Sequence, residues 1–122
     1  MDMEMKTGVV YVLYSDKCDD FFIGASTNYK ERIKKYKNYA RQNKKSSNLC
    51  KKMREVGVDN WKVEEIEVNV PLRQLLFRQQ YYIDTLSPSL NQRYAIDISG
   101  CDYYGNPKKN ENEPKKNENE PQ

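Results

Sequence analysis

Two short apolar runs open the chain, and both have the character of β-strands. The first, GVVYVLY at residues 8 to 14, is β-branched and aromatic, and the second, DFFIG at 20 to 24, follows the polar segment SDKCDD. β-branched and aromatic residues are enriched in strands, whereas Asp and Ser favour turns. The pattern predicts a β-hairpin.

From residue 28 the apolar positions recur with a helical period. Their spacings of four, three and four predict an amphipathic helix, with Thr27 or Asn28 as its N-terminal cap. The apolar positions of this helix are Tyr29, Ile33, Tyr36 and Ala40. A second helix is predicted from the serines of SSN to Gly57, a residue suited to the left-handed end of a helix.

A strand and a third helix follow. Residues 61 to 68, WKVEEIEV, mostly alternate apolar and charged side chains, which predicts a strand with one exposed face. Pro71 then opens a helix over PLRQLLFRQQYYIDTL, whose apolar stripe passes through Gln79. That glutamine is either a hydrogen-bonded core residue or a side chain presented into a site. The rest of the stripe consists of Leu72, Leu75, Leu76, Tyr82, Ile83 and Leu86.

The order ββααβα predicts a small α/β fold of the α+β type, and the composition fits one such domain. The chain has 122 residues, 32% charged and 37% hydrophobic, with a mean hydropathy of -1.04. That length supports one core, and no window approaches the run of about 18 apolar residues of a membrane helix. The N-terminal MDMEMKTGVVYVL lacks the features of a secretory signal. We therefore expect an intracellular protein, in the cytoplasm or nucleus or encoded by a virus in its host cell.

The cysteine and histidine content excludes several kinds of catalytic chemistry. Cys18, Cys50 and Cys101 show no CxxC spacing and the sequence has no histidine, so structural zinc is not expected. The same lack of histidine excludes Ser-His and Cys-His triads. Acid-base chemistry must then come from Tyr, Lys, Glu, Asp or a metal-bound water.

Positive charge is concentrated in one segment. Residues 30 to 54 hold eleven Lys or Arg against one acid, Glu31, for a net +10, whereas the whole chain is +3, so the other residues sum to -7. This asymmetry indicates one face shaped for a polyanion such as nucleic acid. The alternative is an ordinary solvated helical face, although such faces usually interleave glutamate.

The C-terminus carries a tandem repeat. PKKNENE at 107 to 113 recurs at 114 to 120 and contains no apolar residue. A segment with nothing to bury cannot offset the entropy of ordering. We therefore predict an N-terminal extension at 1–6, a folded domain at 7–100 and a disordered tail at 101–122.

Five short motifs, in order, resemble the GIY-YIG nuclease superfamily over residues 8 to 92, in particular its homing-endonuclease-like branch. VVY at 9 to 11 and FIG at 22 to 24 match the two name motifs, with eleven residues from Tyr11 to Phe22. STNYKER resembles the family's STN-x-x-x-R element and places Arg32 eight residues after Gly24. SSNLCKKMREVGVDNWKVEEIEV and RQQYYIDTLSPSLNQ resemble two further stretches of the family.

The resemblance implies a three-stranded antiparallel sheet flanked by helices, and hydrolysis of DNA phosphodiester bonds with Mg²⁺ or Mn²⁺ as cofactor. Tyr11 would orient or deprotonate the attacking water, Arg32 would stabilise charge developing on the phosphate, and Tyr36 would assist the nucleophile. Supporting positions would be Phe22, Gly24, Asn28 and Asn91. Candidate DNA contacts in the basic segment are Lys30, Lys34, Lys35, Lys37, Arg41, Lys44 and Lys45.

The chain departs from the family's pattern at two positions. Phe22 replaces the tyrosine of the second name motif and loses its hydroxyl. Gln79 stands where the family has the glutamate that holds the metal, so this position loses its negative charge. Because Mg²⁺ is normally held by at least one carboxylate, a neutral amide weakens such a site.

Three accounts of Gln79 stay open. The domain binds nucleic acid without cleaving it, or another acid such as Glu31, Glu65 or Asp84 recruits the metal, or the glutamine is a deliberate inactivating substitution. The sequence thus predicts either an endonuclease-type domain with an altered metal site or a catalytically inactive nucleic-acid-binding module of the same fold. A protein-interaction adaptor is a third hypothesis.

The expected partner is DNA, either branched or non-specific duplex. Only a short repetitive tail follows the domain, so a protein partner would supply any sequence specificity. A lone domain with such a tail would suit a viral or mobile-element origin.

Overall fold

A three-stranded antiparallel sheet forms the centre of the computed structural model, which describes residues 6–44 and 47–108. The described elements follow the order ββααβα, so the predicted α/β fold of the α+β type is confirmed. The strands are β1 (Thr7–Ser15), β2 (Phe21–Ser26) and β3 (Trp61–Pro71), and the α-helices are α1 (Tyr29–Gln42), α2 (Asn48–Val56) and α3 (Leu75–Leu86). Short 3₁₀ turns at Val58–Asn60 and Leu72–Gln74 precede β3 and α3. Among these helices of the described chain, none is long and apolar enough to cross a membrane.

The first strand lies in the middle of the sheet. The spatial order is β2-β1-β3, and both pairings are antiparallel. Tyr11 on β1 lies opposite Gly24 of β2 on one side and opposite Glu65 of β3 on the other. The register of β1 with β3 shifts between Val10 and Tyr11, an irregularity of the kind that re-aims side chains near functional sites. Residues of both neighbouring strands therefore lie directly beside Tyr11.

Different helices cover the two faces of the sheet. Side chains alternate between faces along a strand, so Tyr11 and Leu13 pack in a cluster with buried residues of α1 and α2. On the opposite face, Val10 and Ile23 pack with Leu75 of α3. The fold is thus a sheet between a pair of helices and a single helix.

The ends of the first two helices follow the predicted capping residues. The Asn28 Oδ1 accepts a 3.3 Å bond from the Glu31 N–H, which makes Asn28 rather than Thr27 the cap of α1. Ser47 caps α2 in the same way, and Gly57 ends α2 with a φ of 108°. These local signals lie within a few residues of the helix ends that they set.

The third helix starts later than predicted. β3 runs on to Pro71, a 3₁₀ turn follows, and α3 begins at Leu75. Pro71 has a φ of -56° and a ψ of 141°, which is an extended conformation. Proline fixes only φ, so it ends this strand as readily as it would open a helix.

The buried side of α3 also differs from the predicted apolar stripe. Three of the predicted leucines are exposed, namely Leu72, Leu76 and Leu86. Arg78 and Gln80 are buried instead. The Arg78 Nε lies 3.0 Å from a Glu67 carboxylate oxygen, and the Gln80 Oε1 accepts a 2.6 Å bond from the Ala95 N–H. Polar side chains can occupy a core when they are bonded in this way.

The packed chain continues past residue 100. Cys101 and Pro107 form a β-bridge, and the turn between them places the Tyr103 carbonyl oxygen 3.3 Å from Arg78. Residues 101–107 therefore pack with the domain rather than belonging to the predicted tail. The repeat from 109 onward and residues 1–5 of the predicted N-terminal extension lie outside the described residues.

Side-chain amides cover the outer edge of β2. The Ile23 N–H donates to the Asn91 Oδ1 at 2.9 Å, and the Ile23 carbonyl accepts bonds from Asn91 Nδ2 at 2.8 Å and Gln79 Nε2 at 3.1 Å. The Leu90 N–H adds a 3.1 Å bond to the Phe21 carbonyl. An uncovered strand edge invites pairing with another chain, and these bonds close the edge of β2 at its middle.

Replacing Asn91 by alanine is expected to destabilise the fold. The change leaves the Ile23 N–H without its partner, and an unsatisfied buried donor costs about 1–3 kcal/mol. The free energy of unfolding, measured by urea titration, should fall by that amount. The matched control is Asn38→Ala at an exposed position of α1, which should change it by less than about 0.5 kcal/mol. Equal effects of the two changes would show that the amide bonds do not stabilise the edge.

Candidate active site

The predicted site tyrosine is held in a narrow slot on the central strand. Tyr11 is fully buried, and its ring lies over Gly24. A Cβ atom added at Gly24 would lie 2.3 Å from both the Tyr11 Cζ and its hydroxyl oxygen, far inside van der Waals contact. The ring of Tyr29 stacks with that of Tyr11, with the ring centroids 5.5 Å apart. Gly24 therefore leaves room for the tyrosine ring.

The Tyr11 hydroxyl is buried without a hydrogen-bond partner among the described residues. Burial raises the pKa of Tyr11 well above its usual value, and the nearby Tyr36 hydroxyl raises it further, while the positive charge of Arg32 acts in the opposite direction. The hydroxyl consequently stays protonated at neutral pH. Such a group is poorly suited to act as a resting general base, and its burial keeps the hydroxyl out of contact with solvent in this structure.

The first helix places its site residues on one face. Tyr29, Arg32 and Tyr36 follow each other at spacings of three and four, so they lie one above the other along α1. The Arg32 side chain is exposed and has no partner within the described chain. An unpaired guanidinium is suited to a phosphate, which it can bind with two parallel hydrogen bonds.

Tyr36 shares one cavity with Phe22 and Gln79, the two positions predicted to depart from the family pattern. Phe22, Tyr36, Gln79 and Asn91 line this space, whose volume is about 460 Å³. The rings of Phe22 and Tyr36 meet edge to face, with centroids 5.9 Å apart. The residues that complete the lining are Ser47, Leu49, Leu90, Gln92, Arg93, Tyr94 and Ala95.

Gln79 is tied to the sheet by its amide group. Its Nε2 donates a 3.1 Å bond to the Ile23 carbonyl, which a glutamate could not do. The residues at this position do not fit a divalent cation of the kind that the family implies, because Mg²⁺ is normally held by carboxylates. Within residues 6–44 and 47–108, no group of three His, Cys, Asp or Glu side chains could hold a metal ion.

The three acids predicted as alternative metal ligands are each bonded to other side chains. Glu31 lies 3.5 Å from a lysine one turn further along α1. Glu65 accepts a 2.7 Å bond from the Tyr29 hydroxyl. Asp84 accepts bonds of 2.8 and 2.7 Å from a glutamine and a tyrosine. In this structure none of the three joins Gln79 in a metal-binding cluster.

The side chains predicted to contact DNA differ in whether they already form ion pairs. Lys34 lies beside Glu31, and the Arg41 guanidinium lies 2.8 Å from Asp59. Exposed pairs of this kind are weak, so both side chains can exchange partners. Those without an ion pair in the described chain are Lys30, Lys35, Lys37 and Lys44. Lys45 lies outside the described residues.

Two of the predicted supporting residues have structural tasks. Asn28 caps α1, and its N–H also donates a 2.9 Å bond to the Ser26 Oγ. Asn91 bonds the edge of β2 and lines the cavity. Both residues therefore position the elements that carry the site.

Other residues of this region were not identified from the sequence. Tyr29 was placed only in an apolar stripe, yet its hydroxyl joins Glu65 of β3 to the ring stack on Tyr11. Gln92, Arg93 and Tyr94 line the cavity from a loop without periodic pattern. Their nearness to Asn91 in sequence is the only signal that could have pointed to them.

Residues 7–94 match the family model of the GIY-YIG catalytic domain. The chain belongs to the GIY-YIG family, whose catalytic domain is a nuclease domain that acts on DNA. No curated protein and no solved structure matches the chain.

Gly24→Ala tests the slot around Tyr11. The added methyl would overlap the tyrosine ring, so the free energy of unfolding should fall by about 1–3 kcal/mol. In a Tyr11→Leu background the same change should cost far less, because leucine has no atoms at the Cζ and hydroxyl positions. Urea titration of the four proteins gives the coupling energy between the two sites. A coupling near zero would mean that the contact does not restrict this position.

Proposed function

We propose that this chain acts on DNA as a nuclease-type domain that binds the phosphate backbone firmly and hydrolyses it slowly, because its site, among the described residues, lacks the carboxylate that would hold Mg²⁺ or Mn²⁺. Membership of the GIY-YIG family supports DNA as the substrate. The single observation that carries slow hydrolysis is the bond from Gln79 Nε2 to the Ile23 carbonyl, because it commits this position to a neutral amide.

The basic side chains of α1 support the binding half of the proposal. Lys30, Lys35 and Lys37 belong to the helix that also carries Arg32, and none has an ion pair in the described chain. Lysines near a phosphate backbone release counterions and make the affinity depend steeply on salt. DNA bound along α1 would thus bring a phosphate to the exposed Arg32 guanidinium.

The roles of the site residues follow from their chemistry. Arg32 would neutralise charge that develops on the phosphate, and the Tyr11 hydroxyl would have to become exposed before it could donate a hydrogen bond to it. The metal would supply charge stabilisation when bound, and the side chains of this site offer it little. This leaves a site that retains anion recognition and lacks the carboxylate.

A second candidate is a module of the same fold that binds nucleic acid without cleaving it. The observation that favours it is that Glu31, Glu65 and Asp84 are each bonded to other side chains. The two candidates differ only in residual cleavage, and restoring the carboxylate separates them.

Removing lysines from α1 tests the binding face. A Lys30→Ala, Lys35→Ala, Lys37→Ala triple variant should bind duplex DNA more weakly and lower the slope of log affinity against log salt by about 2–3. The control removes three lysines elsewhere, Lys17, Lys62 and Lys108, and should leave the slope unchanged. Fluorescence anisotropy over a series of salt concentrations measures both. Equal loss in the two triple variants would mean that net charge alone drives binding.

Gln79→Glu tests the cause of slow hydrolysis. With Mg²⁺ or Mn²⁺, nicking of supercoiled plasmid and branched DNA should rise by about tenfold or more, since a metal contributes several kcal/mol to such reactions. The same change removes the donor to the Ile23 carbonyl, so the free energy of unfolding should fall by about 1 kcal/mol.

The matched control for this experiment is Gln92→Glu. It adds the same charge to the same cavity at a position without a family role and should nick no faster than the parent protein. Nicking should also disappear with EDTA or with Arg32→Ala in the Gln79→Glu background. If Gln79→Glu folds and nicks no faster than the parent, a missing carboxylate does not explain slow cleavage and the silent binding module is the better account.

A further inference from the structure

We infer that the cavity between α3, β2 and α1 binds an unpaired nucleobase, so that the favoured substrate is DNA with a single-stranded segment beside the duplex. This inference rests on the proposed action on DNA and specifies its substrate. The cavity volume of about 460 Å³ lies within the range of about 300–1,000 Å³ found for small-molecule sites.

Aromatic rings line this cavity from three parts of the chain. Phe22 comes from β2, Tyr36 from α1 and Tyr94 from the loop after α3. Tyr94 is 79% exposed, which is unusual for a large aromatic side chain and leaves its ring faces free. Bases stack on such rings whatever their sequence, because every base has a π-face.

Two amide side chains provide hydrogen-bonding groups within the same lining. The Gln79 Oε1 accepts no bond from the described residues and is not sealed from solvent. The Gln92 Oε1 is occupied by a 2.8 Å bond from the Asn48 N–H, which fixes the side chain and leaves its amino group as a donor. One acceptor and one donor in a cavity are the groups that bind the edge of an extruded base.

The charges around the cavity favour an uncharged base that belongs to a negatively charged DNA strand. Its lining contains Arg93 and, among the described residues, no carboxylate. Phe22 and Gln79, the two departures from the family pattern, both belong to this lining. A phenyl ring and an amide in place of a phenol and a carboxylate make the cavity less suited to an ion and more suited to a base.

The cavity lies where a bound DNA strand could reach it. Tyr36 lines the cavity and belongs to α1, one turn beyond Arg32 on the same face. A base placed against Tyr36 would therefore leave its own backbone beside Arg32 and the lysines of α1. An unpaired base can enter at little cost, whereas a paired base must first be unstacked.

The test compares DNA with and without the base at the unpaired positions. Anisotropy with the full-length protein in EDTA measures the affinity for a short duplex, the same duplex with a single-stranded flap, and the same flap made abasic. We expect the flap with bases to bind at least about fivefold more tightly than the abasic flap. Tyr94→Ala should lower the affinity for the flap with bases to that of the abasic flap.

The control for the variant is Tyr104→Ala, whose ring lies over Arg78 and outside the cavity. It should keep the preference for bases. Salt-sensitive binding with equal affinity for the two flaps would overturn the base site and leave the proposed action on DNA intact. A preference that survives in both tyrosine variants would mean that the base binds elsewhere. Failure to bind any of the three DNAs would overturn the proposed function itself.

Discussion

The close contact between the Tyr11 ring and the Gly24 backbone is the constraint on which the site depends. It is possible only because β1 and β2 pair with these two residues opposite each other and because glycine has no side chain there. The Tyr29 ring stacks on that of Tyr11, and the Tyr29 hydroxyl donates a hydrogen bond to Glu65. One stack of rings thereby joins all three strands to the first turn of α1, and helix geometry then sets the positions of Arg32 and Tyr36.

The Ile23 carbonyl determines what Gln79 can do. This oxygen accepts bonds from two amides, and a carboxylate at residue 79 would face it without a hydrogen to donate. Closing the strand edge and holding a cation are therefore competing uses of one side chain. In this chain the bond to the edge of β2 is formed, and the neighbouring cavity acquires the character of a binding site for an uncharged group.

The parts of the fold that could be predicted are those governed by nearby residues. The hairpin, the cap at Asn28 and the helix end at Gly57 depend on short segments, and the structure confirms them. The start of α3 was predicted wrongly because Pro71 ends a strand here instead of opening a helix. The buried face of α3 was predicted wrongly because the pairing of Arg78 with Glu67 brings together residues from two elements. A hydrophobic pattern carries no information about such a pair.

The candidate site could be predicted only as far as short motifs reach. The resemblance proposed Tyr11, Arg32, Tyr36 and Gln79, since these lie in short motifs with regular spacing, and their roles stay predictions. It could not show that Gln79 bonds a backbone carbonyl of β2, which depends on how α3 docks against the sheet.

The central position of β1 also bears on the order of folding. Its pairing with β2 spans only a short turn, whereas its pairing with β3 brings together Thr7 and Pro71, which are separated in sequence by β2 and two helices. Because contacts between distant parts of a chain form slowly, the addition of β3 is the step expected to limit the folding rate. The contact between Tyr11 and Gly24 lies within the hairpin, so it is expected to form earlier.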